Sequence, residues 1–122
     1  MRKVITPLLL VLLFTACSDF DSTKIIEPTT YQINAVSLNM PREMVPTNVA
    51  AQKVEENEQF TLVGATFLRG QDELVGIWLF DESNPEDIRS INEIAQSYSP
   101  FPVQDQLKLT SEVRNLSAFL QR

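Results

Sequence analysis

The fold of this chain is decided by residues 60–80, FTLVGATFLRGQDELVGIWLF. Residues 60–68 and 74–80 are apolar and rich in strand-forming side chains, and the segment 69–73 between them contains Gly70. This spacing predicts a β-hairpin with a five-residue loop and Gly70 in its turn. Both strands carry apolar side chains on both faces, so we expect other elements to cover the sheet on each side.

A helix is predicted directly after the hairpin, over residues 85–97. Ser83 with Glu86 has the pattern of a capping box, or Asn84 caps the helix with Pro85 at its first position. Apolar residues at helical spacing follow. The segment therefore supplies one cover for the sheet.

The C-terminal part predicts a strand and a second helix. Residues 103–109 alternate between apolar and polar side chains, whereas Leu116 and Leu120 lie on one side of a helix over residues 111–121. The fold class that follows is α+β, with a small, mainly antiparallel sheet centred on one β-hairpin and covered by two helices. We expect a single domain over residues 31–122.

The segment before the hairpin is less regular. Residues 31–40 alternate with a change of phase and predict a first strand with a bulge. Pro41 and Pro46 bracket a predicted loop. Residues 49–58 are rich in helix-forming side chains and predict a short helix.

The first residues have the pattern of an export signal. A basic start precedes an apolar stretch over residues 4–14, which is shorter than the roughly 20 residues that a membrane span needs. The sequence LFTAC, which ends at Cys17, resembles the lipobox of bacterial lipoproteins. Ala16 and Thr15 match its small residues, although Phe14 stands where Leu, Val or Ile is usual. The alternatives are an ordinary signal peptide that ends at a cysteine, or a buried N-terminal helix.

The resemblance implies that residues 1–16 are a removed signal peptide and that Cys17 carries the lipid anchor. Because Ser18 rather than Asp follows Cys17, it also implies transport to the outer membrane, with the domain facing the periplasm. The acidic Asp19 and Asp21 leave export to the cell surface as the alternative. Residues 17–30 are polar and predict a flexible tether. Its expected end-to-end distance is roughly 20 Å, with a stretched limit near 45 Å.

Charge and composition exclude several functions. Loss of the two basic residues of the signal would leave eight basic and sixteen acidic residues, a net charge of about −8. The basic residues are scattered singly, which argues against nucleic-acid binding. With no histidine and one cysteine, the chain lacks an imidazole base and the common zinc ligands. We therefore expect no cofactor and no metal.

Carboxylates are the remaining candidates for catalysis or calcium binding. Asp81 and Glu86 could act as a glycosidase-type pair, but acids are also expected at a predicted helix start. Asp81, Glu82, Asp87 and the run 55–58 could bind calcium through oxygen. Neither acidic run has the alternation and turn glycine of a calcium loop, and solvated acidic runs are common.

Three other features could contact a partner or pack internally. Pro100 and Pro102 stiffen a loop that could present Phe101 as an aromatic anchor, or Phe101 could fold back onto the core, as the small domain favours. Trp78 is expected in the core, with a local partner for its indole N–H. The two hairpin glycines other than Gly70 are expected at a bulge or under a covering helix.

These observations predict a non-enzymatic lipoprotein that acts as a binding or assembly accessory for an envelope protein or complex. The alternative is an inhibitor or exclusion factor that blocks a foreign enzyme, phage or conjugation apparatus, for which a negative charge would suit a basic target. An enzyme that uses carboxylates alone is the third reading.

Overall fold

The computed structural model describes residues 20–104 and 107–122, which form one five-stranded antiparallel sheet with helices on both sides. The strands follow one another in chain order across the sheet. The elements are β1 (Ile25–Ile26), α1 (Thr30–Leu38), β2 (Val45–Lys53), β3 (Phe60–Arg69), β4 (Asp72–Asp81), β5 (Asn84–Ser90), α2 (Glu93–Tyr98) and α3 (Thr110–Leu120). The predicted α+β class with a mainly antiparallel sheet is confirmed.

The predicted hairpin is the centre of the sheet. β3 and β4 pair along their whole length, and the loop contains only Gly70 and Gln71, so it is shorter than predicted. Gly70 has φ +64°, the positive value that favoured two-residue hairpin turns require at their first central position. A tight turn of this kind matches the twist of the strands and lets pairing continue to the tip.

Each face of the hairpin is buried in its own cluster. On the face that we call the α1 face, Phe67, Trp78 and Phe80 are buried with Val36 of α1 and Ala95 of α2. On the opposite face, which we call the α3 face, the buried set is Leu62, Ile77, Leu79, Leu116 and Leu120, the last two from α3. The expectation of a sheet covered on both sides is confirmed.

The predicted strand over residues 31–40 is wrong, because this segment is helix α1. The Thr29 hydroxyl accepts the N–H of Gln32, and the Gln32 side chain accepts the N–H of Thr29, which completes a capping box. Gln32, Val36 and Met40 are buried at a spacing of four. The phase change along this segment therefore reflects helical rather than strand periodicity.

The predicted helix over residues 49–58 is also wrong. Strand β2 occupies the first half of this segment, and Ala50 and Ala51 are buried on opposite faces of the sheet. Pairing with β3 satisfies the backbone of β2 and outweighs the helix propensity of its side chains.

The helix predicted over residues 85–97 begins later than expected. The Asp81 carboxylate accepts both the N–H and the hydroxyl of Ser83, which closes a two-residue turn and sends the chain back as β5. The helix is α2 alone, capped by the side chain of Asn92. Ser83 and its neighbours thus serve a strand turn rather than a helix start.

The last predicted helix is confirmed as α3. The described residues of the predicted strand over 103–109 form no strand, since Val103 makes only an isolated parallel bridge with Ser90. Residues 105 and 106 lie outside the described residues.

Most of the segment predicted as a tether is part of the folded domain. The ring of Phe20 meets that of Phe119 edge to face, with 5.4 Å between centroids, and the N–H of Asp21 donates to Asn115 Oδ1. Ile25 and Ile26 then pair with β2 as an edge strand. Residues 20–30 therefore belong to the folded domain, whereas residues 17–19 lie outside the described residues.

Helix α3 packs directly on the backbone of Gly64 in β3. A Cβ at this position would lie 2.6 Å from Leu120 Cδ1 and 3.2 Å from Leu116 Cδ2. We expect Gly64→Val to lower the free energy of unfolding by about 2 kcal/mol through overpacking, as measured by urea denaturation.

The matched control is the double variant Gly64→Val with Leu120→Ala, which removes the atom that the valine would strike. The double variant should be about 1 kcal/mol more stable than the sum of the two single-variant effects predicts. Strict additivity would mean that α3 does not contact Gly64 as described.

Candidate functional site

A groove opens on the α1 face of the domain, between α1, β5 and the loop that follows α2. Its volume is about 390 Å³, and its lining residues are Tyr31, Asn34, Ala35, Leu38, Asn39, Glu86, Ile88 and Phe101. Most of this lining is apolar carbon, with amides and one carboxylate among it. Such a surface is suited to binding an apolar group with a few polar contacts.

The loop that carries Phe101 is fixed by the buried Ser90. The Ser90 hydroxyl donates to the carbonyl of Phe101 at 3.0 Å, and its N–H donates to that of Pro102 at 2.7 Å. The Ser99 hydroxyl at the start of the loop accepts the indole N–H of Trp78 at 3.0 Å. This is the local partner expected for a buried tryptophan.

The sequence left open whether Phe101 is exposed to a partner or packs onto the core, and its ring has features of both placements. Its half-buried ring packs against the cluster of the α1 face and also lines the groove. Pro100 and Pro102 flank it and are exposed. Because the backbone of this loop is anchored, the aromatic wall of the groove is formed before any ligand arrives.

The opposite wall comes from α1. Tyr31 is 49% exposed, yet its ring meets Phe80 edge to face and its hydroxyl donates to the carbonyl of Pro85. Leu38, near the end of the helix, is 78% exposed. Exposed large apolar side chains gathered in one groove are typical of a binding surface rather than of ordinary solvent exposure.

Glu86 gives the groove its negative charge. Among the described residues, no lysine or arginine lies within ion-pair distance of it, whereas the neighbouring Asp87 pairs with Arg89 at 2.8 Å. The groove therefore offers apolar walls and an uncompensated carboxylate, a combination that favours an apolar segment with a basic side chain.

The carboxylate of Asp81 stabilises the turn between β4 and β5. Hydrogen bonds from the Ser83 hydroxyl, and then from the Gln59 amide, hold the pKa of Asp81 below its ordinary value. Asp81 and Asp87 line one depression of the surface. Glu86 lines a different one, the groove. The two carboxylates of the predicted catalytic pair, Asp81 and Glu86, thus line separate depressions.

Glu82 joins three elements of the domain. It accepts the Thr61 hydroxyl at 2.6 Å and contacts Gln32 of α1 and Lys53 of β2. The hydrogen bond from Thr61 is the main reason that the pKa of Glu82 is lowered, with a further contribution from the charge of Lys53. Its role is to fix α1 to the sheet.

The acidic run 55–58 also has local partners. Glu55 pairs with Lys24, and its N–H donates to the buried carboxylate of Glu112 at 3.1 Å. Within residues 20–104 and 107–122, no three acidic or cysteine side chains converge closely enough to hold a metal ion.

The residues predicted for lipidation and cleavage, Cys17, Ala16 and Thr15, lie outside the described residues. In the part of the chain that the structure describes, no helix is long and apolar enough to cross a membrane.

The sequence prediction missed the α1 wall of the groove, because the segment was assigned to a strand. The spacing Thr29-x-x-Gln32, followed by Val36 and Met40, was the signal that could have identified it.

No protein-family model, curated protein or solved structure matches this chain.

Glu82 provides a pH-dependent test of this arrangement. Glu82→Gln is expected to lower the free energy of unfolding at neutral pH by about 0.5 kcal/mol, a small value because the carboxylate is 41% exposed and screened by water. A lowered folded-state pKa gives stabilisation that is present above the unfolded value, about 4.3, and is lost as pH falls through the folded pKa.

The stability difference between the parent and Glu82→Gln should therefore shrink toward zero in urea titrations carried from neutral to acidic pH. Glu86→Gln is the control, since the Glu86 carboxylate has no ion-pair partner among the described residues and its removal should matter little throughout. A difference for Glu82→Gln that grows on acidification would contradict the assignment.

Proposed function

We propose that this protein is an outer-membrane lipoprotein, anchored through Cys17, that binds an envelope protein or complex without catalysing a reaction. The observation that carries the proposal is the preformed groove of Tyr31, Leu38, Glu86 and Phe101 on the α1 face. The partner would insert an apolar segment with a basic side chain next to Glu86.

The chemistry of the described residues supports a binding role. Asp81 and Glu82 are used in a turn and in fixing a helix, and the chain has no histidine. The polar groups of the groove are the Tyr31 hydroxyl, which donates to the carbonyl of Pro85, the two asparagine amides and the single carboxylate of Glu86. Its residues are arranged for contact with a partner through burial and charge.

The groove is small, so its own affinity is expected to be modest. Full burial of one leucine is worth about 1.5–3 kcal/mol, and Leu38 is the most exposed of the large apolar side chains described. Anchoring at the same membrane as the partner raises the effective concentration and compensates for a weak contact. Lipidation and binding would thus act together.

The net negative charge of the mature chain supports a second candidate function. A mature net charge of about −8 favours a basic target, which suits an inhibitor or exclusion factor directed at a foreign enzyme, phage or conjugation apparatus. Both functions use the same groove. The identity of the captured protein, resident or foreign, distinguishes them.

Leu38→Ser tests the groove without touching the core. We expect it to reduce co-purification of the partner by roughly 10–100-fold, the equivalent of one lost buried leucine. The measurement is quantitative mass spectrometry of affinity-purified protein from the native envelope, with crosslinking before extraction.

Leu107→Ser is the matched control, because Leu107 is also exposed, at 38%, but lies outside the groove. Its partner recovery should equal that of the parent. Equal recovery with Leu38→Ser and Leu107→Ser would refute the groove as the binding surface.

The anchor is tested by metabolic labelling with palmitate and by fractionation. Cys17→Ser should abolish the label and release the protein from the membrane fraction, because the thioether to lipid cannot form. Ser18→Asp should keep the label but shift the protein toward the inner membrane, as the resemblance to lipoproteins implies. Labelling that persists in Cys17→Ser would remove the basis of the proposal.

A further inference from the structure

Among the described residues, the first contact with the rest of the domain is made very close in sequence to the predicted anchor, Cys17. Phe20 packs on Phe119, and Cys17 is only three residues earlier in the chain. Three extended residues span at most about 11 Å. This is a quarter of the reach that a tether through residue 30 would have had.

That reach is smaller than the domain itself. A chain of about 100 folded residues has a radius of gyration near 13 Å, and its surface lies further out. A domain tethered by three residues cannot turn an arbitrary side toward the bilayer. The side that carries Phe20 must remain next to the lipid.

The surface around Phe20 has a composition suited to the membrane interface. Phe20 and Phe119 are half-buried, and the Arg122 guanidinium lies 3.8 Å from the centroid of the Phe119 ring. Aromatic rings with an adjacent arginine combine an apolar body with a charged group that can reach phosphate. The Asp21 carboxylate, which accepts the N–H and the hydroxyl of Thr23, adds one negative charge beside this surface.

We propose that the surface formed by Phe20, Phe119 and Arg122, which we call the lipid pole, rests on the headgroups of the membrane that holds Cys17. This inference rests on the lipidation in the proposed function and adds an orientation to it. Phe119 and Ile25 pack against the α3-face cluster, whereas the groove belongs to the α1 face. The sheet therefore separates the lipid from the groove, which opens away from the bilayer.

The test uses the full lipidated chain on vesicles of phosphatidylcholine and phosphatidylglycerol that contain a headgroup-attached quencher. Cys17 is the only cysteine and is blocked by lipid, so one fluorophore can be attached through a single introduced thiol. The exposed positions Ser22 and Gln121 report on the lipid pole, and the exposed Asn34 reports on the groove.

We expect quenching of the fluorophore on Ser22→Cys and Gln121→Cys to exceed that on Asn34→Cys at least twofold. Equal quenching at the three positions, or stronger quenching at position 34, would overturn the orientation. A flexible ten-residue insertion between Ser18 and Asp19 is the control, and it should abolish the difference. A difference that survives the insertion would overturn the argument from chain length.

The two proposals fail in distinguishable ways. A full chain that does not associate with the vesicles contradicts lipidation, and the orientation falls with it. A chain that associates but is quenched uniformly contradicts the orientation alone, and leaves the groove and its partner to be judged by the Leu38→Ser comparison.

Discussion

The structure depends on the two-sided apolar character of the β3–β4 hairpin. A sheet with buried side chains on both faces cannot be stable with cover on one side only, because the other face would remain in contact with water. Helices α1 and α2 cover one face, and α3 covers the other at the close contact with Gly64. The same requirement that gives the domain its core also gives it two chemically different outer surfaces.

The two proposed functions, partner binding and membrane contact, lie on different surfaces of the domain. The groove lies where α1 and the Phe101 loop leave apolar side chains exposed above the first cluster, whereas Phe20, the described residue nearest in sequence to the proposed anchor, contacts Phe119, which packs against the second cluster. The polar residues within the domain are largely used to hold this arrangement. Ser90 fixes the loop, Glu82 accepts a hydrogen bond from Gln32 of α1, and Asp81 closes the turn between β4 and β5. Under the proposed function, binding of a partner would need no rearrangement of the fold.

The hairpin, the final helix and the α+β class could be predicted because their signals are local and strong. The apolar strands flank a turn glycine, and Leu116 and Leu120 repeat at helical spacing. Two of the failures have a common cause, which is that short segments took their structure from a neighbour, whereas α1 was missed although its capping box and its spacing of four are present in the sequence. β2 follows the pairing demand of β3, and β5 follows the Asp81 turn. The groove was therefore only half predictable, through Phe101, since its other wall required α1 to be recognised.

The pairing of Ile25 and Ile26 with β2 has a mechanical consequence. If a bound partner pulls on the domain while the acyl chains stay embedded, the load passes through the Phe20 contact and a ladder of two residue pairs, the shortest in the sheet. These contacts would yield before the central strands. Residues 20–29, once peeled and fully extended, would span at most about 33–36 Å. If the proposed anchoring at Cys17 holds, this edge segment would separate before the central strands of the sheet do.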